Sequence, residues 1–260
     1  MAPISHSYFH YHASAHAFSG RFTRPFDEHI DVQAASSLPL TGGHGSARVD
    51  NFKFHEFISF KAGYTHVSGG LQTEDGSNNT LVTSVLEGLN MMDVLTADRV
   101  VCRLYSKHAA RAAEGNVTMH GSKFENLCIC GQPVTMDLNF NVFETVQTFK
   151  QAQEEYLKEQ DFWKIAKDPL QSKKEQPPQK DTGAFLCSLF KNIQVKAAGA
   201  EVCGHSIYVP GFGRVYLAEV FMSQATRTLT MLRFELGSST GGSGSGGSGT
   251  TNGKHYPPGS

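Results

Sequence analysis

The 260-residue chain has no apolar run approaching the roughly 20 residues that a bilayer-spanning helix needs, and it carries one tryptophan, five cysteines and almost no excess charge. Each shortage excludes something. With 23 basic side chains against 24 acidic ones, the formal net charge of −1 projects no field that would draw in a polyanion, so nucleic acid is not an expected partner. Five widely spaced cysteines do not make a disulfide framework in a chain this long, and mostly buried thiols are expected. The start, Met-Ala-Pro-Ile-Ser-His-Ser-Tyr, lacks the basic and apolar regions of a signal peptide. The expectation is a cytoplasmic protein, or a cell-surface or extracellular one if a leader is missing or export is non-classical. Neither a glycine-rich phosphate loop nor a Gly-x-Ser-x-Gly nucleophile elbow is present.

What the chain has is alternation. Between Arg48 and Phe60 the even positions Phe52, Phe54, Ile58 and Phe60 are apolar, while Lys53, His55 and Lys61 fall on the other side. A period of two places one set of side chains on a packed face and the other in water, as in a half-buried antiparallel strand. Strands are predicted at about 48–60, 64–72, 80–87 and 94–106, with the Asp75-Gly76 pair turning a hairpin between the second and third. Further strands are predicted at 115–120, 124–130, 133–143, 184–197, 213–221 and 225–236. Over 145–167, Val146, Phe149, Ala152, Tyr156 and Phe162 recur at helical spacing among polar residues, which predicts one amphipathic helix stopped by Asp168-Pro169. Residues 168–183 are too polar and proline-rich to pack and read as an exposed loop. From Gly237 to Ser260 the composition is almost wholly glycine and serine at first, with little apolar surface to offset backbone ordering, so a flexible coil is expected.

The fold expectation is therefore all-β: an antiparallel β-sandwich in a single domain over 1–236, with a helix-plus-loop insertion at 145–183 and a flexible tail over 237–260. Four segments resemble those of the bacterial choice-of-anchor P family. They are Ser37-Leu38-Pro39 before a glycine-rich run, Leu95-Thr96-Ala97-Asp98, Phe124-Glu125-Asn126-Leu127 with Gly131-Gln132-Pro133-Val134, and Val209-Pro210-Gly211-Phe212-Gly213-Arg214-Val215-Tyr216-Leu217. They occur in the family's order across residues 36 to 221. The resemblance implies a β-rich, surface-associated protein and transfers no catalytic residue.

Near the start, His6, Tyr8, His10, His12, Ser14 and His16 all occupy even positions. On a strand they share one face, with His10 and His12 about 7 Å apart, close enough to share a metal if a neighbouring strand adds ligands. Zinc or nickel would suit imidazole. The plainer reading is a polar sheet face opposite Phe9, Ala13, Ala15 and Ala17. Cys128 and Cys130 are spaced more tightly than the usual Cys-x-x-Cys metal knuckle and read as packed thiols. Asp75 reads as a turn residue rather than a calcium ligand. His44 and Asp98 could serve a catalytic serine only if the fold brought them together. No catalytic or cofactor-binding residue is identified.

The expected function is a non-catalytic structural or binding module, self-assembling into homo-oligomers through open sheet edges. A carbohydrate-binding or adhesive surface module comes second, although the single Trp163 provides little stacking platform for a glycan. A metal-dependent enzyme using the N-terminal histidines comes third.

Overall fold

The aromatic run at 48–60 folds back on itself. In the computed structural model, which describes residues 8–110, 112–158, 183–223, 226–237 and 239–256, Gly43–Phe54 and Ile58–Leu71 are two strands joined by a tight turn at His55, whose φ is +48°. Phe52 pairs with Phe60 and Phe54 with Ile58, so the even positions stay on one side through the turn. The Phe52 and Phe60 rings stack at 4.7 Å. Ile58 and Phe60 are buried and Phe52 and Phe54 half-buried against the core, while Lys53, His55 and Lys61 are exposed.

Two antiparallel sheets face each other, which makes the fold an all-β sandwich. The chain enters the first sheet with β1 (Tyr8–Arg24), β2 (Glu28–Gln33) and β3 (Ser36–Ser37), then builds the second as a meander of β4 (Gly43–Phe54), β5 (Ile58–Leu71), β6 (Asn78–Met91) and β7 (Leu95–His108). The short β8 (Asn116–Thr118), β9 (Lys123–Glu125) and β10 (Cys128–Ile129) pair with β7, and β11 (Gln132–Leu138) follows on β10. Returning to the first sheet, β12 (Ala184–Ser188) lies on one edge of β16 (Gly213–Ser223), and the chain crosses at the buried Leu189 to β13 (Phe190–Val195) beside β11. β14 (Glu201–Cys203), β15 (Ser206–Val209), β16, β17 (Arg227–Leu236) and β18 (Gly241–Tyr256) complete the first sheet in the order β14-β15-β16-β17-β18-β1-β2. The Asp75-Gly76 hairpin is found where predicted, with Gly76 at φ +68°.

Both sheets carry a transverse crease. Along β1 the buried positions are odd through Ala17 and even from Phe18; on β17 the change comes at Met231 and Leu232, and on β16 between Leu217 and Val220. The register on either side of the crease is unbroken, with His16 paired to Ser248 and Phe18 to Gly246, Thr230 to Ser248 and Leu232 to Gly246, and Leu217 to Leu232 and Glu219 to Thr230. Ala17, Gly247, Met231 and Ala218 therefore line up in one row, with Gly247 at φ +62° and Ala218 at φ +46°. Asn51 (φ +53°), Lys61, Gly88 (φ +63°) and Asp98 form the matching row of the second sheet. One out-of-phase residue in each of these strands at the same level switches the inward face without costing them their pairing, where a lone bulge would offset one strand against its neighbour.

The expectation of a flexible tail from Gly237 is corrected by β18, which is an interior strand paired along its length with β17 on one side and β1 on the other. Composition misleads here because the sheet needs residues without side chains at this level. A Cβ at Gly244 would lie 2.5 Å from the Phe234 ring, one at Gly246 2.8 Å from Leu86, and one at Gly249 2.8 Å from Val82. The large side chains pack directly onto the β18 backbone, and hydrogen bonding on both edges replaces the apolar surface that the segment lacks.

The helical prediction is met in part. The described residues hold α1 (Asn141–Thr145) and α2 (Phe149–Leu157), and the rest of the predicted helix and the loop after it, 159–182, lie outside them. The break at 146–148 is a capping box: Thr148 Oγ1 accepts the Gln151 backbone N–H at 3.2 Å, and Gln151 Oε1 accepts that of Thr148 at 3.0 Å. Among the described residues no helix is long and apolar enough to cross a membrane. Of the thiols, only Cys102 and Cys187 are buried; Cys130 and Cys203 are exposed, a correction to the expectation of mostly buried cysteines, because both fall at strand ends beside turns.

A candidate ligand cavity at one end of the sandwich

At the end of the sandwich where β7 and β18 finish and β17 begins, a cavity of about 320 Å³ is lined by Ser106, His108, Glu114, Arg227, Thr251 and Lys254, among others. Arg227 is 4% exposed and His108 3%. Strand parity puts them there: Arg227 falls in the same phase as the buried Leu229 and Met231, and His108 in that of Cys102 and Leu104. Gly115 closes the loop over the imidazole, and a Cβ at that position would overlap the His108 ring.

The electrostatics are under-compensated. Arg227 Nη2 donates to Glu114 Oε2 at 3.0 Å, and Nη1 donates to the carbonyls of Ser223 and Thr226. The same Glu114 oxygen accepts the backbone N–H of Phe149 at 2.7 Å, which ties the start of α2 to the site. Among the described residues Arg227 Nε has no partner, nor has Nδ1 of His108. Burial pushes the Arg227 guanidinium below its ordinary value despite Glu114. For His108, burial first and then the neighbouring His255 and Arg227 pull the imidazole down to about 4, so it is neutral at pH 7. Behind these groups Thr80 and Ser106 lie 2.5 Å apart, Thr80 and Thr251 2.6 Å, and Ser106 and Thr251 3.1 Å, a closed triangle of buried hydroxyls. Ser106 thus spends its hydroxyl on two threonines. Among the described residues no hydrogen bond joins it to His108.

A second buried charge cluster lies on the first sheet and is self-sufficient. Glu219 accepts from His205 at 2.9 Å and from Arg233 at 2.6 and 2.9 Å. Burial alone would raise its carboxyl, but hydrogen bonds from Arg233 and His205 outweigh it and hold the group below its ordinary value. Arg233 also lies 3.6 Å above the Tyr216 ring. Every member is satisfied from within, which makes the cluster a brace rather than a receptor.

His10 and His12 do share the outward face of β1. His10 pairs with Lys254 across the strands and stacks on the Tyr256 ring at 5.5 Å, while His12 pairs with Asn252. No group of three or more metal-ligating side chains occurs among the described residues. Among the described residues only β18 pairs with β1 at His10 and His12; β3 and β2 join its other side from Ser14 onward, and before that Tyr11 and Ala13 bond to Leu40 and Leu38 instead. His44 on β4 and Asp98 on β7 are kept apart by three strand spacings, roughly 14 Å, and also along the strands, since His44 lies level with Tyr105 rather than with Asp98. Cys130 turns away at φ +49° just beyond β10, so it does not share a strand face with Cys128.

Family comparison places this architecture. A family model described as a domain of unknown function, DUF8256, matches residues 9–223. The chain belongs to that family. The match takes in β1 through β16 and so includes His108 and Glu114, while Arg227 and the whole of β18 lie past its end. No curated protein and no solved structure matches the chain.

Sequence reasoning did not single out Arg227, His108 or Glu114. The signal for the first two was available as a charged or titratable residue in the core phase of a predicted strand, a placement that burial alone would not favour. Glu114 sits in a loop and carried no signal.

Proposed function

We propose that the protein is a non-catalytic binding module whose ligand site is the cavity between Arg227 and His108. The observation that carries this reading is that Arg227 and His108, both almost fully buried and each with a polar atom that has no partner among the described residues, line one open cavity. Unsatisfied buried polar atoms cost roughly 1–3 kcal/mol each, and a ligand that pairs them recovers that cost. Engagement of the Ser106 hydroxyl by Thr80 and Thr251 supports binding over catalysis. The resemblance to choice-of-anchor P proteins implies a β-rich, surface-associated protein, a setting in which a binding role fits.

The test is a panel of neutral saccharides, amino acids, short carboxylates and phosphates, read by protein NMR and thermal shift. Saturable binding is expected to be lost in Ala113→Trp, since Ala113 sits exposed at the cavity rim. Absence of any ligand sensitive to that plug would defeat the reading.

Self-association is the second reading, favoured by β4, a 12-residue strand that ends its sheet. Such an edge can pair with a second copy, although Asn51 kinks it and the Arg48–Asp50 ion pair charges it. Light scattering across concentration, with Val49→Pro to block pairing, decides between monomer and assembly.

A further inference from the structure

We infer that the cavity takes a small oxyanion, a carboxylate or phosphate group, received by the free Nε–H of Arg227 beside His108. The inference rests on the binding-module reading and assigns the chemistry of its ligand.

Charge balance argues for it. Arg227 and Lys254 line the cavity as cations against the single carboxylate of Glu114. Glu114 already receives two donors on one oxygen, so it does not neutralise the site fully. A cation entering the cavity would face Arg227 and Lys254. A neutral saccharide would leave the cavity's excess positive charge, one more cation than carboxylate, without a counter-charge. An oxyanion meets each demand: it accepts from Arg227 Nε, a donor with no partner among the described residues, and from His108 Nδ1 in the tautomer that carries its proton there. The volume of about 320 Å³ sits at the small end of ligand pockets, which suits a small acid rather than a polymer.

The experiment titrates the full chain with sodium acetate, inorganic phosphate and glucose at constant ionic strength, following the backbone amides of Gly115 and Gly253 by NMR. Acetate or phosphate is expected to shift both amides saturably and glucose to leave them unmoved; whichever anion binds more tightly identifies the group. Lys254→Ala, at an exposed position, should weaken the anion several-fold. Arg227→Gln together with Glu114→Gln replaces the ion pair by a neutral, hydrogen-bonding pair of similar shape and should abolish anion binding while the spectrum stays folded. If that double variant does not fold, the Lys254→Ala and Ala113→Trp titrations carry the test. Anion shifts that survive Ala113→Trp would overturn the inference. Binding of glucose with no response to the anions would overturn it too, yet leave the binding-module reading standing. If nothing in the wider panel is sensitive to Ala113→Trp, both fall together.

Discussion

Glu114 holds Arg227 at 3.0 Å with the same oxygen that receives the Phe149 backbone N–H, so one carboxylate couples the buried guanidinium of the sheet to the first turn of α2. Removing it leaves a charge in the interior with no anion beside it. Glu114→Ala should cost about 2–4 kcal/mol in urea unfolding, toward the lower end for a broken buried pair because Glu114 is 21% exposed. Arg227→Met in the same background should recover part of that loss. Strict additivity of the two changes would show that the pair is not coupled.

Acid should weaken the fold through His108. The imidazole titrates near 4 in the folded protein against an ordinary 6.5, so the unfolded chain takes up its proton first. The stability it confers is complete above about pH 6.5, falls as the pH drops toward 4, and changes no further below that. A shift of this size corresponds to about 3 kcal/mol. His16, also lowered by burial, acts in the same direction. His108→Phe should flatten the decline between pH 6.5 and 4 in denaturant titrations. An unchanged slope would place the acid sensitivity elsewhere.

Alternation made the sandwich legible because a strand with one wet face writes its burial into every second residue. Phe52, Phe54, Ile58 and Phe60 were assigned to one face correctly even though the hairpin between them was not foreseen, since a turn that pairs Phe54 with Ile58 preserves parity. The turn itself was hidden because His55 takes positive φ without a glycine or asparagine to announce it. Thr148 and Gln151 spelled out a capping box within what looked like one helix. The cavity was less legible, because Glu114 reaches Arg227 from far along the chain and no local pattern encodes that contact.

The aromatic hairpin offers a graded test. Phe60, 2% exposed, touches Phe18 as well as Phe52, whereas Phe54 is only half-buried and packs on Phe22 at 5.4 Å. Phe60→Ala should lower stability by about 3–5 kcal/mol, and Phe54→Ala by less. Equal losses would mean that the exposed rim of the hairpin is as tightly packed as its base, contrary to the burial gradient.

The glycine- and serine-rich strand gives the sharpest contrast between composition and structure. A flexible tail tolerates almost any substitution, but β18 lies between β17 and β1 with side chains of both sheets against its backbone. A Cβ at Gly244 would sit 2.6 Å from the backbone oxygen of Ser19, an atom that cannot rotate away, so Gly244→Val should prevent folding or cost several kcal/mol. At Gly249 the obstructing atoms are the side chains of Val82, Cys102 and Leu104, which can yield a little, and Gly249→Val should cost about 1–3 kcal/mol or more. Ser243 faces outward and is exposed, so Ser243→Val should stay within about 0.5 kcal/mol. Truncation before residue 239 should remove the cooperative unfolding transition, because it opens two long edges in the middle of the first sheet. Thermal and urea unfolding followed by circular dichroism distinguishes the cases: a graded series with Ser243→Val silent requires the strand, and four silent changes would return residues 239–256 to a coil.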